Sequence, residues 1–399
     1  MSADQVEAPP FPQRRTCPYQ PPDSYREIAE RGPLNEVTLW NGRRVWLFTG
    51  YAESREILSD PRLSSDRSFD AYPTMAPHLG AEEARKLVLV GEDPPSHDLH
   101  RRLLNPEFGL KHARALRPRI ESDINGLIDA IEKKGPPSDL VPDFAVPIPG
   151  LAMSALLGIP YEDHDFFQEA TAGVMQARDE DQTNAAGKAL FGYLDKLVTA
   201  QEKNPGDELL GRLARRVLDG EVGHEELVQL SMVLLIAGLE TTSSMIPLSL
   251  VALFDHPDQL EALREGRVTI QSAVEELLRI TAVTDFGGVR WVTEDIDIAG
   301  RRLKAGDGIV ISSTMANRDP AVHDDPYTFD LARGSRQHLT FGFGIHQCLG
   351  QSLARTQLEV AFETLLRRLP QLRPAVPTTE LKMRQSGTMQ GLVTLPVTW

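Results

Sequence analysis

Phe341-Gly342-Phe343-Gly344-Ile345-His346-Gln347-Cys348-Leu349-Gly350 is the most informative stretch of the chain. It sets three glycines, Gly342, Gly344 and Gly350, around one thiol, Cys348. A Gly-rich turn lets backbone approach a flat ligand without Cβ clashes and aims amide N–H groups at one atom. If that atom is the Cys348 sulfur, those amides stabilise a thiolate and tune whatever it binds. Downstream, Gln351 to Arg368 predicts a helix with Leu353, Leu358, Val360, Phe362, Leu365 and Leu366 apolar. Cys348 would then lie at a helix N-terminus, where the dipole lowers a thiol's pKa. Taken alone, a cysteine at a turn also suits a buried structural role.

The pattern Phe-Gly-x-Gly-x-His-x-Cys-x-Gly resembles the axial-ligand loop of the haem-thiolate monooxygenases, the cytochrome P450 superfamily. The resemblance implies a mainly α fold with small β-sheets, the triangular prism of that family. It also implies haem b, with Cys348 as the iron ligand, lying between this loop and a long central helix.

Composition agrees with a soluble globular enzyme: 41% hydrophobic and 25% charged residues. A compact body of 399 residues has a radius of gyration of about 21 Å, enough to enclose a cofactor and a substrate. The net charge of −15 argues against general binding to nucleic acid or anionic membranes. Two cysteines, Cys17 and Cys348, form no disulfide framework and fit a reducing cytoplasm. The segment from Met1 to Pro12 is acidic and has no apolar core of a signal peptide. The most apolar stretch, Leu227 to Phe254, contains Glu240 and a Ser/Thr cluster, which predicts a buried helix rather than a membrane span. Under the resemblance, the lack of an anchor points to the soluble bacterial type.

Residues 9–23 are rich in proline and predict an extended lead-in wandering over the surface. Val37 to Phe48, with Asn41-Gly42 at its centre, predicts a hairpin. Arg62 to Gly91 reads as loop. Helical patterns then follow, including His97–Phe108, His112–Lys133, Ile148–Leu157, Tyr161–Ala177, Gln182–Asn204 and Asp207–Leu218. Glu225 to Phe254 is the longest, about 45 Å at 1.5 Å per residue, with Pro247 as a kink rather than an end. Gly288 to Ser313 predicts short strands. No linker divides the chain, and a single domain over 1–399 is expected.

Ala237-Gly238-Leu239-Glu240-Thr241-Thr242 places a glycine and polar groups in the middle of the longest helix, where they are costly. Thr241 can bond back to the Ala237 carbonyl and loosen the helix, making room for a small ligand and a water. A kink with satisfied polar groups is the plainer reading. The segment resembles the family's oxygen-activating segment, which would give Thr241 a hydrogen bond to the bound dioxygen and make Glu240 its link to a proton supply.

His97 and Arg101 share one helix face after Asp93-Pro94-Pro95, a pairing that suits a carboxylate or simply a solvated basic face. The run resembles the family helix that clamps a haem propionate. By the same resemblance Arg290 and His346 are further propionate ligands, and His338 a weaker one that orients the loop. Glu276 and Arg279, with Arg333 in the later Pro-Tyr-x-Phe segment, resemble the family's buried structural triad; a bare surface ion pair is the plainer reading.

Arg101, Arg102, Lys111, Arg114, Arg117 and Arg119, against Asp98 and Glu107, make a basic patch on an acidic chain. If it flanks the thiolate side of a haem it would steer a small acidic partner, which the resemblance implies is a ferredoxin. No dinucleotide-binding glycine pattern follows a strand, so electrons would come from separate proteins. The function implied is O₂-dependent hydroxylation of a bulky hydrophobic small molecule such as a macrolide, a sterol-like compound or a foreign compound, by a cytoplasmic monomer. Substrate contacts are expected from residues 70–90, 166–181, 283–286 and 387–392, and from Leu235 and Ile236. A peroxide-driven haem enzyme, a haem-thiolate isomerase or dehydratase, and a non-enzymatic haem sensor or carrier are the alternatives.

Overall fold

A computed structural model describes residues 8–384 and 388–399. The chain opens with α1 (Asp23–Glu30), the hairpin β1 (Leu34–Thr38) and β2 (Arg44–Phe48), α2 (Tyr51–Leu58), β3 (Leu63–Ser64) and a short α3 (Glu82–Arg85). A helical body follows: α4 (Ser96–Phe108), α5 (Leu110–Lys134), β4 (Ser138–Asp139), α6 (Pro147–Leu157), α7 (His164–Met175), α8 (Glu180–Lys203) and α9 (Leu209–Leu218). Then come α10 (His224–Asp255), α11 (Pro257–Arg264) and α12 (Ile270–Ile280). Four strands follow, β5 (Gly288–Val292), β6 (Ile296–Ile298), β7 (Arg301–Leu303) and β8 (Gly308–Ile311). The chain closes with α13 (Ser313–Ala316), α14 (Gln351–Arg368), β9 (Arg373–Pro374) and β10 (Pro396–Thr398).

α10 is apolar on nearly every face, so it can only be stable inside the protein. It is long and apolar enough to cross a membrane, yet most of its apolar stretch is buried within the fold. The main core wraps it with residues of α5, α6, α8, α12 and α14. Pro247 does not end the helix.

The larger sheet has the order β1-β2-β8-β5-β3, with β2 and β8 parallel and the other pairs antiparallel. Its hairpin closes over Trp40-Asn41-Gly42: the Gly42 N–H reaches the Leu39 carbonyl at 2.9 Å, with Gly42 at φ +81°. That positive φ is what the glycine provides. Register Arg290↔Ile309 fixes Arg290 on the strand beside the Cys348 loop.

Two expectations are corrected. The Pro-rich lead-in is anchored in the core, not wandering: Phe11 and Arg15 are 1% and 3% exposed. Arg15 donates to Asp285 Oδ1 at 2.9 Å, to the Ala282 carbonyl at 2.8 Å and to Thr314 Oγ1 at 3.0 Å. Prolines keep this segment extended, and the bulky anchors between them decide where it lies. Residues 62–91 are not merely loop; they contain β3, a 3₁₀ turn at Pro77–Gly80 and α3. The acidic start of the chain, before residue 8, lies outside the described residues.

Candidate active site

The glycine loop folds back on itself. The Gly342 N–H reaches the Leu339 carbonyl at 2.9 Å, the Gln347 N–H the Gly344 carbonyl at 3.0 Å, and the Cys348 N–H the Phe341 carbonyl at 2.8 Å. Gly344 sits at φ +76°, and a Cβ there would lie 2.4 Å from the Leu58 carbonyl oxygen, so no other residue fits. Gly350 is different: it lines the cavity, yet a Cβ there would meet nothing within 4 Å. The protein itself leaves that side of Gly350 clear.

The loop forms one wall of a cavity of about 290 Å³. Phe341, Cys348, Leu349 and Gly350 line this side, together with Leu353 and Leu358 of α14. The other side is α10, through Val233, Leu234, Ala237, Gly238, Thr241, Thr242 and Met245. Leu89, Val90, Met153, Val283 and Met389 complete an apolar lining. The lining positions on α10 recur at helical spacing on one face. Leu235 and Ile236, expected to touch substrate, do not line this cavity. The α7 to α8 stretch, 166–181, does not supply lining residues, and Gly387 lies outside the described residues.

One edge of the cavity is cationic. His97 is 1% exposed, and among the described residues neither of its ring nitrogens has a hydrogen-bond partner. The nearest carboxylate, Asp98, is 3.6 Å from Nδ1, beyond hydrogen-bond reach. Buried polar atoms are seldom left in this state, so the site lacks an acceptor that belongs there. His97 packs against His346 with ring centroids 4.1 Å apart. His346 Nε2 is 2.9 Å from Ser65 Oγ, and burial, with the cations Arg290, His97, Arg101 and Arg67 nearby, pushes its pKa down to about 2. Arg101 donates to the Gln347 carbonyl at 3.0 Å, and Arg290 to the Val289 carbonyl at 2.7 Å. Among the described residues neither guanidinium has a carboxylate in an ion pair. Burial pushes both below the usual arginine value. Sequence reasoning missed Ser65 and Arg67, whose Nε is also buried and unpartnered among the described residues; both sit in an irregular segment with no periodic signal. Clustered cations with no counter-charge and an orphaned histidine fit the two propionates of haem b, and the clear side of Gly350 fits its flat ring.

The helix-dipole expectation for Cys348 needs correction. Burial pushes the thiol above its ordinary value, outweighing the Gly350 and Gln351 N–H groups and the Arg101 and Arg355 cations that pull it down. Desolvation disfavours the charged form and here exceeds the dipole's pull. A bound metal ion would reverse this, since a coordinating thiol is deprotonated outright.

On α10, Thr241 Oγ1 donates to the Ala237 carbonyl at 2.8 Å, as the sequence predicts. Glu240 faces away from the cavity. Its Oε2 accepts from Gln176 Nε2 at 2.6 Å and from Arg384 Nη1 at 3.2 Å. Gln176 and Arg384 come from distant segments and were not foreseen.

Behind the loop stand two buried ion networks. Arg279 grips Glu276 with two bonds of 2.7 Å, both side chains fully buried, and Arg333 Nε lies 3.6 Å from Glu276. Beside it, Glu275 receives His338 at 3.0 Å and Arg355 at 2.7 Å. Arg355 in turn lies 4.5 Å over the Phe341 ring. His338 thus reaches the Phe341 end of the loop through Glu275 and Arg355, and Glu275 is a residue the sequence reading did not single out.

The basic patch is smaller than its sequence suggests. Arg117 is paired with Glu121, Glu359 and Glu363, and Arg119 with Asp123. Arg101 is turned inward to the loop. Arg102, Lys111 and Arg114 remain as exposed cations, with Leu110 and Ile345 exposed at 56% and 52%.

A cavity with a thiol on one wall, a threonine on the facing helix and cations at one edge suits a haem-thiolate oxygenase site. The cytochrome P450 family profile matches residues 171–397, and the chain belongs to that family. It is 45% identical over 396 residues to a vitamin D3 dihydroxylase of Streptomyces griseolus, covering 99% of this chain and 98% of that protein. It is 46% identical over 390 residues to a pentalenic acid synthase of Streptomyces avermitilis, covering 98% and 97%. The fold superposes with a TM-score of 0.92 on the mycinamicin VIII C21 methyl hydroxylase of Micromonospora griseorubida, bound to mycinamicin VIII, at 35% identity over 98% of this chain and 100% of that one. The protein is a cytochrome P450 monooxygenase with haem b as its cofactor, hydroxylating its substrate with O₂ and a redox partner.

Proposed function

We propose that Cys348 is the axial ligand, that His97, Arg101, Arg290 and His346 hold the propionates, and that Thr241 and Glu240 manage protons on the facing side. The observation that carries this reading is one cavity with Cys348 and Thr241 both lining it and an uncompensated cationic edge. When bound, haem supplies the reduction of O₂ and the transfer of one oxygen atom to substrate carbon. The chain's own residues orient, exclude water and hold protons. The Thr241 hydroxyl, released from the Ala237 carbonyl, becomes a donor inside an otherwise apolar space. Glu240, adjacent in sequence but turned outward, connects that donor to the polar side of the helix where Gln176 and Arg384 lie. Apolar walls strengthen every charge interaction within them.

The substrate is a bulky, neutral, hydrophobic small molecule. Beyond the cationic edge, the lining is aliphatic, with Met153, Met245 and Met389 able to repack around different shapes. Relatives named for vitamin D3 and for a mycinamicin support that class. Electrons come from NAD(P)H through a reductase and a small acidic ferredoxin, docking on Arg102, Lys111 and Arg114 around exposed Leu110 and Ile345. The chain works as a single-domain, cytoplasmic monomer.

The test begins with the CO difference spectrum of the dithionite-reduced protein. A Soret band at the family's long-wavelength position is expected, and Cys348→Ala should abolish it. Vitamin D3 and a macrolide are then screened by spin-state shift, and NAD(P)H consumption is followed with ferredoxin and reductase. Product formed in step with O₂ uptake supports the oxygenase. Haem binding without O₂ uptake would support a sensor or carrier, and turnover with peroxide alone would support the peroxide-driven reading.

A further inference from the structure

Between the cavity and the first turn of α10 lies a Glu–His–Glu cluster, its histidine buried and its carboxylates half-buried, that none of the roles above uses. His100, on α4, is 1% exposed. Its Nδ1 is 2.6 Å from Glu92 Oε2, and its Nε2 is 2.5 Å from Glu226 Oε1. Carboxylate oxygens accept hydrogen bonds and a neutral imidazole has one N–H, so a ring between two carboxylates is an imidazolium.

Each carboxylate holds a second group. Glu226 accepts from the Gly223 N–H at 3.0 Å and so caps α10. Glu92 Oε2 accepts from the Leu89 N–H at 2.8 Å. Leu89 has φ +64°, and the Val90 N–H closes across it to the Val88 carbonyl at 2.6 Å. This tight three-residue turn is strained for a leucine and persists only where its surroundings hold it. Leu89 and Val90 both line the substrate cavity.

We infer that His100 is a positioning residue for substrate: bridging Glu92 and Glu226 as a cation, it holds the Leu89–Val90 turn against the cavity and sets the affinity for bulky ligands. The inference rests on this cavity being the substrate site, as proposed above. The charged groups meeting the ring are Glu92 from the loop and Glu226 from α10; on its own helix, His97 lies one turn earlier, and Arg101 points to Gln347. A neutral ring can serve only one carboxylate. The loop residue Glu92 is the one to be released, since Glu226 is fixed in a helix.

Burial pushes the His100 pKa down, but the bonds to Glu92 and Glu226 outweigh it and raise the value above 6.5. With a raised folded value, the clamp is fully present below the ordinary imidazole pKa and is lost as pH rises through the folded one.

The test uses the haem-loaded protein between about pH 6 and about pH 9, bracketing histidine titration. Clotrimazole serves as a bulky ligand and imidazole as a small one, with Kd read from the Soret shift and only unprotonated azole counted. Amide hydrogen exchange of residues 86–92, as protection factors, is measured alongside. Clotrimazole should weaken about tenfold with rising pH, the size of one charge-assisted hydrogen bond, and imidazole should change less than about twofold. Protection of 86–92 should fall in parallel. His100→Arg, a fork that does not titrate, should flatten both profiles, and Glu92→Gln should show the weak state at every pH. Clotrimazole affinity and protection that stay constant with pH in the unaltered protein, or a His100→Arg profile that still titrates, would overturn the inference. If azoles give no Soret shift, the proposed cavity fails, while the exchange profile still decides the clamp. If His100→Arg does not fold, the unaltered protein and Glu92→Gln decide it.

Discussion

Replacing Arg279 with methionine should remove a large part of the protein's margin of stability. Its side chain and that of Glu276 are fully buried and joined by two bonds of 2.7 Å. Arg279 also donates to the carbonyls of Asn317 at 2.9 Å, Pro326 at 2.7 Å and Thr328 at 3.2 Å. It thereby ties α12 to the segment leading into the Cys348 loop. Methionine fills much of the volume but, among the described residues, leaves the Glu276 carboxylate with only the Asp330 N–H at 3.0 Å and Arg333 at 3.6 Å. Breaking a buried pair from one side costs about 3–5 kcal/mol, because a charge is stranded. Three carbonyls are deprived of a donor as well. Against a total stability of about 5–15 kcal/mol, this variant should bind haem poorly or not at all. Urea unfolding followed by far-UV circular dichroism, with Soret absorbance as the haem readout, measures the loss. The double variant Glu276→Leu with Arg279→Met should cost less than the sum of the single variants by about 1–3 kcal/mol. A single-variant loss under about 1 kcal/mol would refute the claim that this pair is dry.

Thr241→Ala should keep the CO band and ligand binding but divert NAD(P)H electrons to peroxide; coupling measured as product per NAD(P)H would have to stay unchanged for Thr241 to lose its role. His97→Leu removes the orphaned imidazole from the cationic edge, and its haem-to-protein ratio after purification should fall while the apoprotein remains folded. Glu275 is pushed up by burial, yet hydrogen bonds from His338 and Arg355 outweigh this and hold it at about 2, below 4.5. Its stabilisation is therefore complete above 4.5 and lost as pH falls toward about 2. Glu275→Gln should flatten acid unfolding over that window by roughly 3 kcal/mol, and an unchanged acid midpoint would count against the network.

The long helix was legible because its signal is local. A long, mostly apolar run continuing on both sides of Pro247 predicts Glu225 to Phe254, and the helix found is His224–Asp255. The Cys348 loop was legible because its glycines and its cysteine stand in one short stretch, although the Leu58 carbonyl that excludes a Cβ at Gly344 comes from a distant segment. Helix phase was less legible. On a helix buried on nearly every face the apolar pattern does not mark which residues face the cavity, so Val233 and Leu234 line it where Leu235 and Ile236 were expected. Partners at long sequence range were not legible at all. Nothing near Arg15 announces Asp285, and nothing near Glu240 announces Gln176 or Arg384. Such pairs are made by packing, which periodicity does not encode.

The cationic edge links folding to cofactor loading. The chain carries a net charge of −15, yet Arg67, Arg101 and Arg290 gather around His346, which lines one edge of the cavity beside His97. Among the described residues none of the three arginines has a carboxylate ion pair. Like charges brought together away from water repel one another and have given up hydration. Such an arrangement opposes folding unless an anion offsets it, and in the function proposed above the two propionates of haem b would be that anion. Binding to the folded state alone then stabilises it in proportion to the logarithm of ligand excess, about 4 kcal/mol at a thousandfold excess over Kd. Stripping haem should lower the unfolding temperature by more than apolar packing on the ring explains. The excess should shrink in Arg290→Gln, which relieves the repulsion and removes a propionate partner in one step. Differential scanning calorimetry of apo and holo forms of both proteins separates the two contributions, and an equal apo-to-holo difference in the variant would mean that the edge plays no electrostatic part in loading.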